Sequence, residues 1–378
     1  MSASIDKERP TVPLWVPAES TKEDLEYADL PIIDLSLPRE EFLAQVDKVK
    51  HAMETHGFLY CINHPYSVDE MTRVFSIANV PFMEDLIPFE EKKQYEGTMK
   101  TTGSYQGYKL REYWHIDKGV RDQVEIYNLN RDITKREHPS GLRPYLAEIQ
   151  KFANNNHYNI LHPILRLLAL GLDLPEDTFV NIHGFDRVGE TYVSSLCLRN
   201  HAIALPKSIR ISYPRTEDDE SKSGGVWLKG HTDFGTITIL YSQPVSALQI
   251  LSPDGKWRWI KHIENALVIN AGDAMEFLSG GVYRATIHRV VQPPSDQRNK
   301  ERLGVYYFAL TDDDVRLAPL ITAPRDRRFE NGMEPTMEVW RKERTSRYGQ
   351  SELKKSEEAG KERVEEEMIG GVVVKHYN

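Results

Sequence analysis

The chain has 378 residues, enough apolar residues for a large core, and a formal net charge of −9, which argues against nucleic acid as its main partner because phosphate binding wants a basic face. Its two cysteines, Cys61 and Cys197, exclude a disulfide framework and fit a reducing compartment. No apolar start resembles a signal peptide and no stretch is long enough to cross a bilayer, so the expectation is a cytoplasmic protein with no membrane partner.

Residues up to about Asp29 are polar and proline-marked and read as an arm lying on the surface. Leu30 to Leu35 reads as a short strand, followed by a helix from Arg39 to His56 with Gly57 at its stop. Phe58 to Ile62 is a second strand, and Ser67-Val68-Asp69-Glu70 is a capping box that opens another helix. Gly103 to Tyr108 and the following Trp114-His115 are rich in aromatics and flexible residues, which makes them a surface loop or part of a substrate-side lid. Pro144 to Leu174 is the longest helical pattern, with Tyr145, Ile149, Phe152, Ile160, Ile164 and Leu168 on one face, a spacing that suits scaffold. Ser208 to Pro214 is a further strand. The acidic, serine-rich stretch from Thr216 to Gly225 reads as a solvated loop.

The segment Gly230 to Gly235 carries His231 and Asp233 two residues apart, which on a strand would point both side chains to one face. A β-branched strand follows at Ile237 to Tyr241. Ala247–Leu251 and Lys256–Ile260 flank the turn Asp254-Gly255, a hairpin signal. Ala266 to Asn270 runs into a turn and a further apolar run, Thr286-Ile287 leads into His288, and Glu301 to Phe308 is another strand. Short strands at this spacing suggest a sandwich or jelly roll. Two imidazoles and one carboxylate on one face of a metal leave positions open for oxygen and substrate, which is the donor set of non-haem Fe(II) oxygenases. Zinc accepts the same donors. The bland reading has His231 capping a turn and His288 packed in a strand.

With HTDFGTITIL, LQILSPDGKW, ALVINAGD, LSGGVYRATIHRVV and ERLGVYYF in this order and spacing, the chain from Leu30 to Leu310 resembles the Fe(II)/2-oxoglutarate-dependent dioxygenases of the isopenicillin N synthase-like branch. The resemblance implies a mostly β fold with flanking helices around a double-stranded β-helix (jelly-roll) core. It implies Fe(II), the co-substrate 2-oxoglutarate and O2, with His231, Asp233 and His288 as metal ligands and no catalytic residue beyond them. Arg302 stands at the position of the family's Arg-x-Ser arginine, where its planar fork would take the far carboxylate of 2-oxoglutarate, and Tyr213 would add a hydroxyl there. Gly304 stands where serine is usual. One neutral hydrogen bond is worth about 1 kcal/mol, so binding is expected to survive, with a water in the gap or room for a bulkier co-substrate.

Tyr105, Tyr108, Trp114 and Phe308 are the expected substrate-side residues, and Ile239, Leu248 and Val290 are candidates for an apolar lining that is equally core. The implied reaction couples oxidative decarboxylation of 2-oxoglutarate, to succinate and CO2, with oxidation of a small organic molecule of specialised metabolism, by hydroxylation, desaturation, cyclisation or demethylation. Two other readings stay open: an Fe(II) oxidase of the same branch that does not use 2-oxoglutarate, and a non-catalytic jelly-roll binding protein. Three parts are expected: residues 1–207 packing on the core, a catalytic core over 208–318, and a C-terminal helical tail over 319–378, helix-prone from Met337 to Met368. Nothing in the pattern bears on oligomeric state.

Overall fold

In the computed structural model, which describes residues 9–198, 215–347, 354–355, 364–369 and 371–377, the short apolar runs become strands of two facing sheets. β1 (Ile32–Asp34) is followed by α1 (Arg39–Leu43), α2 (Val46–Thr55) and β2 (Phe58–Ile62). The single helix expected from Arg39 to His56 is interrupted at Ala44 and Gln45, where the Gln45 amide pairs with both backbone groups of Asp34. Gly57 stops it at φ +63°, a left-handed value that glycine adopts without a Cβ penalty. α3 (Val68–Asn79) opens on the expected capping box, with Ser67 and Glu70 exchanging hydrogen bonds. The N-terminal arm lies over it, Trp15 stacking on Phe75 at 4.4 Å.

After α4 (Phe89–Gln94) and α5 (Met99–Thr102), the aromatic segment is partly strand: β3 (Gly107–Lys109), β4 (His115–Asp117), β5 (Val120–Arg121) and β6 (Val124–Asn130). The long helical pattern is realised as α6 (Leu146–Asn155) and α7 (His162–Gly171), joined by a π-helical turn over Asn156–Leu161, and all six of its marked apolar residues are buried. β7 (Tyr192–Leu198) follows. The strand expected at Ser208 to Pro214 lies outside the described residues.

The acidic stretch expected as a loop is α8 (Glu217–Ser223). Thr216 and Asp219 form a capping box, four acidic residues in the first turn suit the positive end of the helix dipole, and Gly224 ends the helix at φ +62°. β8 (Val226–His231), β9 (Ile237–Tyr241), β10 (Leu248–Leu251), β11 (Trp257–Trp259) and β12 (Leu267–Ala271) come next, then α9 (Asp273–Leu278), β13 (His288–Val291) and β14 (Arg302–Ala309). Among the described residues of the tail, α10 (Met337–Arg347) is helical, and β15 (Lys354–Lys355), β16 (Val364–Ile369) and β17 (Val372–Tyr377) are strands. The expected helix fails there because Gly371, at φ +85°, turns the chain into a valine run that pairs back on β16.

The major sheet runs β1-β2-β12-β9-β14-β7-β6-β3 and the minor sheet β11-β10-β13-β8-β17-β16-β15. Strands from before residue 208 (β1, β2, β3, β6, β7) and from after it (β9, β12, β14) are thus hydrogen-bonded into one sheet. The side-chain period of two divides the major sheet into two faces. Ile239, Ile269, Val305 and Tyr307 pack outward with Met53 of α2, Phe75 of α3 and Leu165 of α7. On the inner face, Leu196 and Leu198 meet Leu228 and Val290 of the minor sheet, and Leu240 and Val268 meet Leu248 and Ile250. Two sheets joined by such a shared core make the double-stranded β-helix. Neither Cys61 nor Cys197, both buried, is in a disulfide, and among the described residues no helix is long and apolar enough to cross a membrane.

Candidate active site

His231 is the last residue of β8 and His288 the first of β13, and the two are direct partners in the antiparallel register. Sheet pairing therefore brings together imidazoles far apart in sequence, with ring centroids 4.5 Å apart. Asp233 does not share a strand with His231, contrary to what the two-residue spacing suggests. It sits in the turn after β8, with Oδ1 3.9 Å from His231 Nε2 and 3.7 Å from His288 Nε2. One donor atom from each residue lies within 4.8 Å of the others, and among the described residues no other such cluster of metal-ligating side chains occurs.

The orientation of each donor has a local cause. His231 Nδ1 faces the Lys229 carbonyl at 2.8 Å and His288 Nδ1 faces the Thr286 carbonyl at 3.1 Å. A carbonyl only accepts, so each Nδ1 carries the proton and each Nε2 keeps its lone pair toward Asp233. Asp233 Oδ2 accepts from Thr238 Oγ1 at 2.7 Å and Asn270 Nδ2 at 2.8 Å, which turns Oδ1 toward the imidazoles. Thr238 and Asn270 are register partners in β9 and β12 and so stand on the same face. Sequence reasoning missed both; the only signal was that each sits inside a strand where an apolar residue is usual.

Burial pushes the His231 imidazole down to about 3, with the neighbouring His288 acting in the same direction. Burial by itself would raise the Asp233 carboxyl. The two imidazoles and the hydrogen bonds from Thr238 and Asn270 outweigh it and hold the carboxyl below its ordinary value. A neutral imidazole beside an ionised carboxylate is the state a divalent metal requires of its ligands.

These residues border a cavity of about 120 Å³ between the sheets. Tyr105, Trp114 and Phe308 line it, as do Leu248 and Val290. Tyr108 and Ile239 do not. Tyr108 packs on Tyr127 with its hydroxyl on the Pro81 carbonyl, and Ile239 belongs to the outer face of the sheet. A larger hollow of about 420 Å³ lies between α3, α6 and the outer face of the major sheet, but its lining includes no histidine, so size does not locate the chemistry.

Arg302 is 3% exposed, its Nε has no partner among the described residues, and its Nη1 donates to the Tyr306 hydroxyl at 3.4 Å. Arg302, Gly304, Tyr306 and Phe308 alternate along β14 onto the inner face, where Tyr306 and Phe308 border the cavity. Tyr213 lies outside the described residues. The space over Gly304, expected to take a water or a bulkier co-substrate, is filled from within the chain. A Cβ built there would stand 2.5 Å from Tyr306 Cε2 and 2.8 Å from its hydroxyl oxygen, because the Tyr306 ring folds back over the glycine. The period of two in β14 could have found Tyr306 from sequence. Nothing comparable pointed to Arg344 of α10, which also borders the cavity.

The sequence matches two family descriptions, the 2OG-Fe(II) oxygenase superfamily over residues 194–310 and the N-terminal region of the non-haem dioxygenases in morphine synthesis over residues 30–148. The chain belongs to the 2OG-Fe(II) oxygenase superfamily. Among curated relatives of this superfamily, the 2-oxoglutarate-dependent dioxygenase frbH of Dothideomycetidae sp. is 28% identical over 310 residues, covering 79% of this chain and 87% of its own. The 2-oxoglutarate-Fe(II) type oxidoreductase hxnY of Emericella nidulans is 26% identical over 281 residues, 70% of this chain and 73% of its own. The fold matches that of a full-length Neurospora crassa protein crystallised in complex with alpha-KG, with a TM-score of 0.70 at 22% identity over 88% of this chain and 100% of that one. The isopenicillin N synthase-like branch is consistent with these matches. This 2OG-Fe(II) oxygenase is an enzyme that uses Fe(II), 2-oxoglutarate and O2.

Proposed function

We propose that His231, Asp233 and His288 hold the iron, that Arg302 with Tyr213 anchors the far carboxylate of 2-oxoglutarate, and that the cavity between the sheets receives the primary substrate. The observation that carries this reading is the orientation of the three donors, each fixed by a hydrogen bond on its far side. Iron bound there supplies the coupling of O2 reduction to the oxidative decarboxylation of 2-oxoglutarate. Two neutral imidazoles and one carboxylate leave the metal a single net positive charge, which suits an anionic keto acid as a further ligand. Thr238 and Asn270 keep Asp233 turned inward, a role in which loss of an outer partner typically weakens metal binding 10–100-fold. The buried Nε of Arg302, without a partner among the described residues, supports a carboxylate anchor, since a guanidinium is always charged. Leu228, Leu240, Leu248 and Val290 exclude water from the reacting centre.

In this reading residues 1–207 supply the substrate wall through Tyr105 and Trp114, residues 208–318 hold metal and co-substrate, and residues 319–378 close one end of the cavity through α10. The acidic chain is assigned to the cytoplasm and to specialised metabolism, with no nucleic-acid or membrane partner. The test is anaerobic addition of Fe(II) and then 2-oxoglutarate to the full chain. A visible charge-transfer band that requires both is expected, and its absence would refute the assignment. Slow conversion of 2-oxoglutarate to succinate without substrate then separates this reading from an oxidase that takes all its electrons from the substrate.

A further inference from the structure

Arg344 reaches the cavity from an element that contributes no metal ligand. It lies in the last turn of α10 and is 3% exposed. Its Nη2 donates to the Thr232 carbonyl at 2.8 Å, between His231 and Asp233 in the chain, and stands 3.3 Å from Asp273 Oδ2. Nε and Nη1 are buried and have no acceptor among the described residues. A guanidinium carries five donors and a charge it does not lose, so two buried nitrogens without acceptors mark a place where an acceptor belongs.

The wall beside this group is aromatic. Tyr105 lies parallel to Tyr192 at 6.2 Å and nearly so to Phe234 at 5.7 Å, and Tyr192 stacks on Phe308 at 4.9 Å. All four rings border the cavity together with Arg344 and the His231–Asp233 turn. An apolar body fits the rings, and an anionic end fits the guanidinium.

We propose that the primary substrate is a small apolar or aromatic carboxylic acid, its carboxylate held by Arg344 and its body laid on the Tyr105–Tyr192–Phe234–Phe308 wall. The proposal rests on the reading of the metal and 2-oxoglutarate site given above. Arg344 is a substrate-binding residue that sets which carbon faces the metal; it is distinct from Arg302, which serves the co-substrate.

The test uses the full chain loaded anaerobically with Fe(II) and 2-oxoglutarate. Phenylacetate, 3-phenylpropionate, cyclohexanecarboxylate and octanoate are each titrated against their own primary amides by calorimetry. At least one acid is expected to bind about 10-fold or more tightly than its amide. Arg344→Met should weaken that acid about 10- to 100-fold while moving the amide little, the loss of a charge-assisted hydrogen bond. Arg344→Lys should keep part of the preference for the acid. Because Arg344→Met leaves Asp273 buried alone, Arg344→Met with Asp273→Asn is measured beside it, and the same loss is expected. The proposal is overturned if no acid outbinds its amide or if the preference survives in either methionine variant. The charge-transfer band formed before any acid is added reports on the underlying site separately: a normal band without acid preference refutes only the role of Arg344, and a missing band refutes the site.

Discussion

Replacing Gly304 by serine would place the usual residue of the family at this position, yet the structure predicts damage. A Cβ at Gly304 would meet the Tyr306 ring at 2.5 Å, below any distance real Cβ atoms adopt, so the ring must swing away. Two interactions are lost with it. The Tyr306 hydroxyl leaves Arg302 Nη1, a charge-assisted bond worth about 1 kcal/mol at its 3.4 Å length, and the near-parallel stack of Tyr306 on Phe308 (5.4 Å, 15°) gives up about 1 kcal/mol more. The sum of about 2 kcal/mol is lost from the folded state and lowers the thermal midpoint, and the part that positions Arg302, about 1 kcal/mol, corresponds to roughly a fivefold rise in the 2-oxoglutarate concentration that half-saturates the charge-transfer band. The decisive arm is a double-mutant cycle. Tyr306→Ala removes the ring, so serine at 304 should then cost almost nothing, and the coupling should exceed about 1 kcal/mol. If the two substitutions simply add, or if serine leaves 2-oxoglutarate binding within about twofold, the account of Tyr306 as the occupant of the Gly304 space is wrong.

Other consequences are as direct. Alanine at His231 or Asp233 should abolish iron binding measured by metal analysis after desalting, and stoichiometric iron in either variant would remove that residue from the ligand set. Arg302→Ala should raise the 2-oxoglutarate requirement about 10-fold or more while leaving iron content in place, since the lost partner is a charged group on the co-substrate alone. Asn270→Ala, which frees Asp233 Oδ2 from one of its two donors, should weaken iron about 10-fold in a competition titration with a chelator. Stability should fall in mild acid. Burial holds His64, His157 and His183 down to about 4, 3 and 4, below the ordinary 6.5, so the unfolded chain takes up their protons first. Their contribution is complete above pH 6.5 and is lost as the pH falls from there toward the folded values. Near pH 5 the three together imply a slope of roughly 3–4 kcal/mol per pH unit. Denaturant titrations showing no slope between pH 6 and 4.5 would contradict the neutral, buried state of these rings.

Features set by neighbouring residues are legible without the fold. The strands Ile237–Tyr241 and Arg302–Ala309, the Asp254-Gly255 turn and the Ser67 capping box all appear where the sequence places them, to within a residue. The Thr216 capping box has the same kind of signal but is masked by the weight of acidic residues around it, which in a first helical turn stabilise rather than disrupt. The tail misleads for the opposite reason: helix-prone charge patterning from Met337 to Met368 carries little energy against sheet pairing, and among the described residues Met337–Arg347 is helix while Val364–Ile369 is strand. Tyr108 falls outside the cavity because an aromatic in a flexible-looking segment says nothing about which face of a strand it will occupy.

By itself, the sequence determined which residues could form a metal-binding set and which strands could carry them, because ligand type is chemical identity and strand alternation is a property of a few adjacent residues. Only the tertiary structure decided that His288 lies opposite His231, that Thr238 and Asn270 aim Asp233, that Tyr306 fills the space over Gly304, and that Arg344 arrives from α10. Each of these is an encounter between segments distant in the chain or a packing choice made by a whole sheet. Which side chain occupies a given space depends on sheet register and on the packing of whole elements, and no local pattern encodes either.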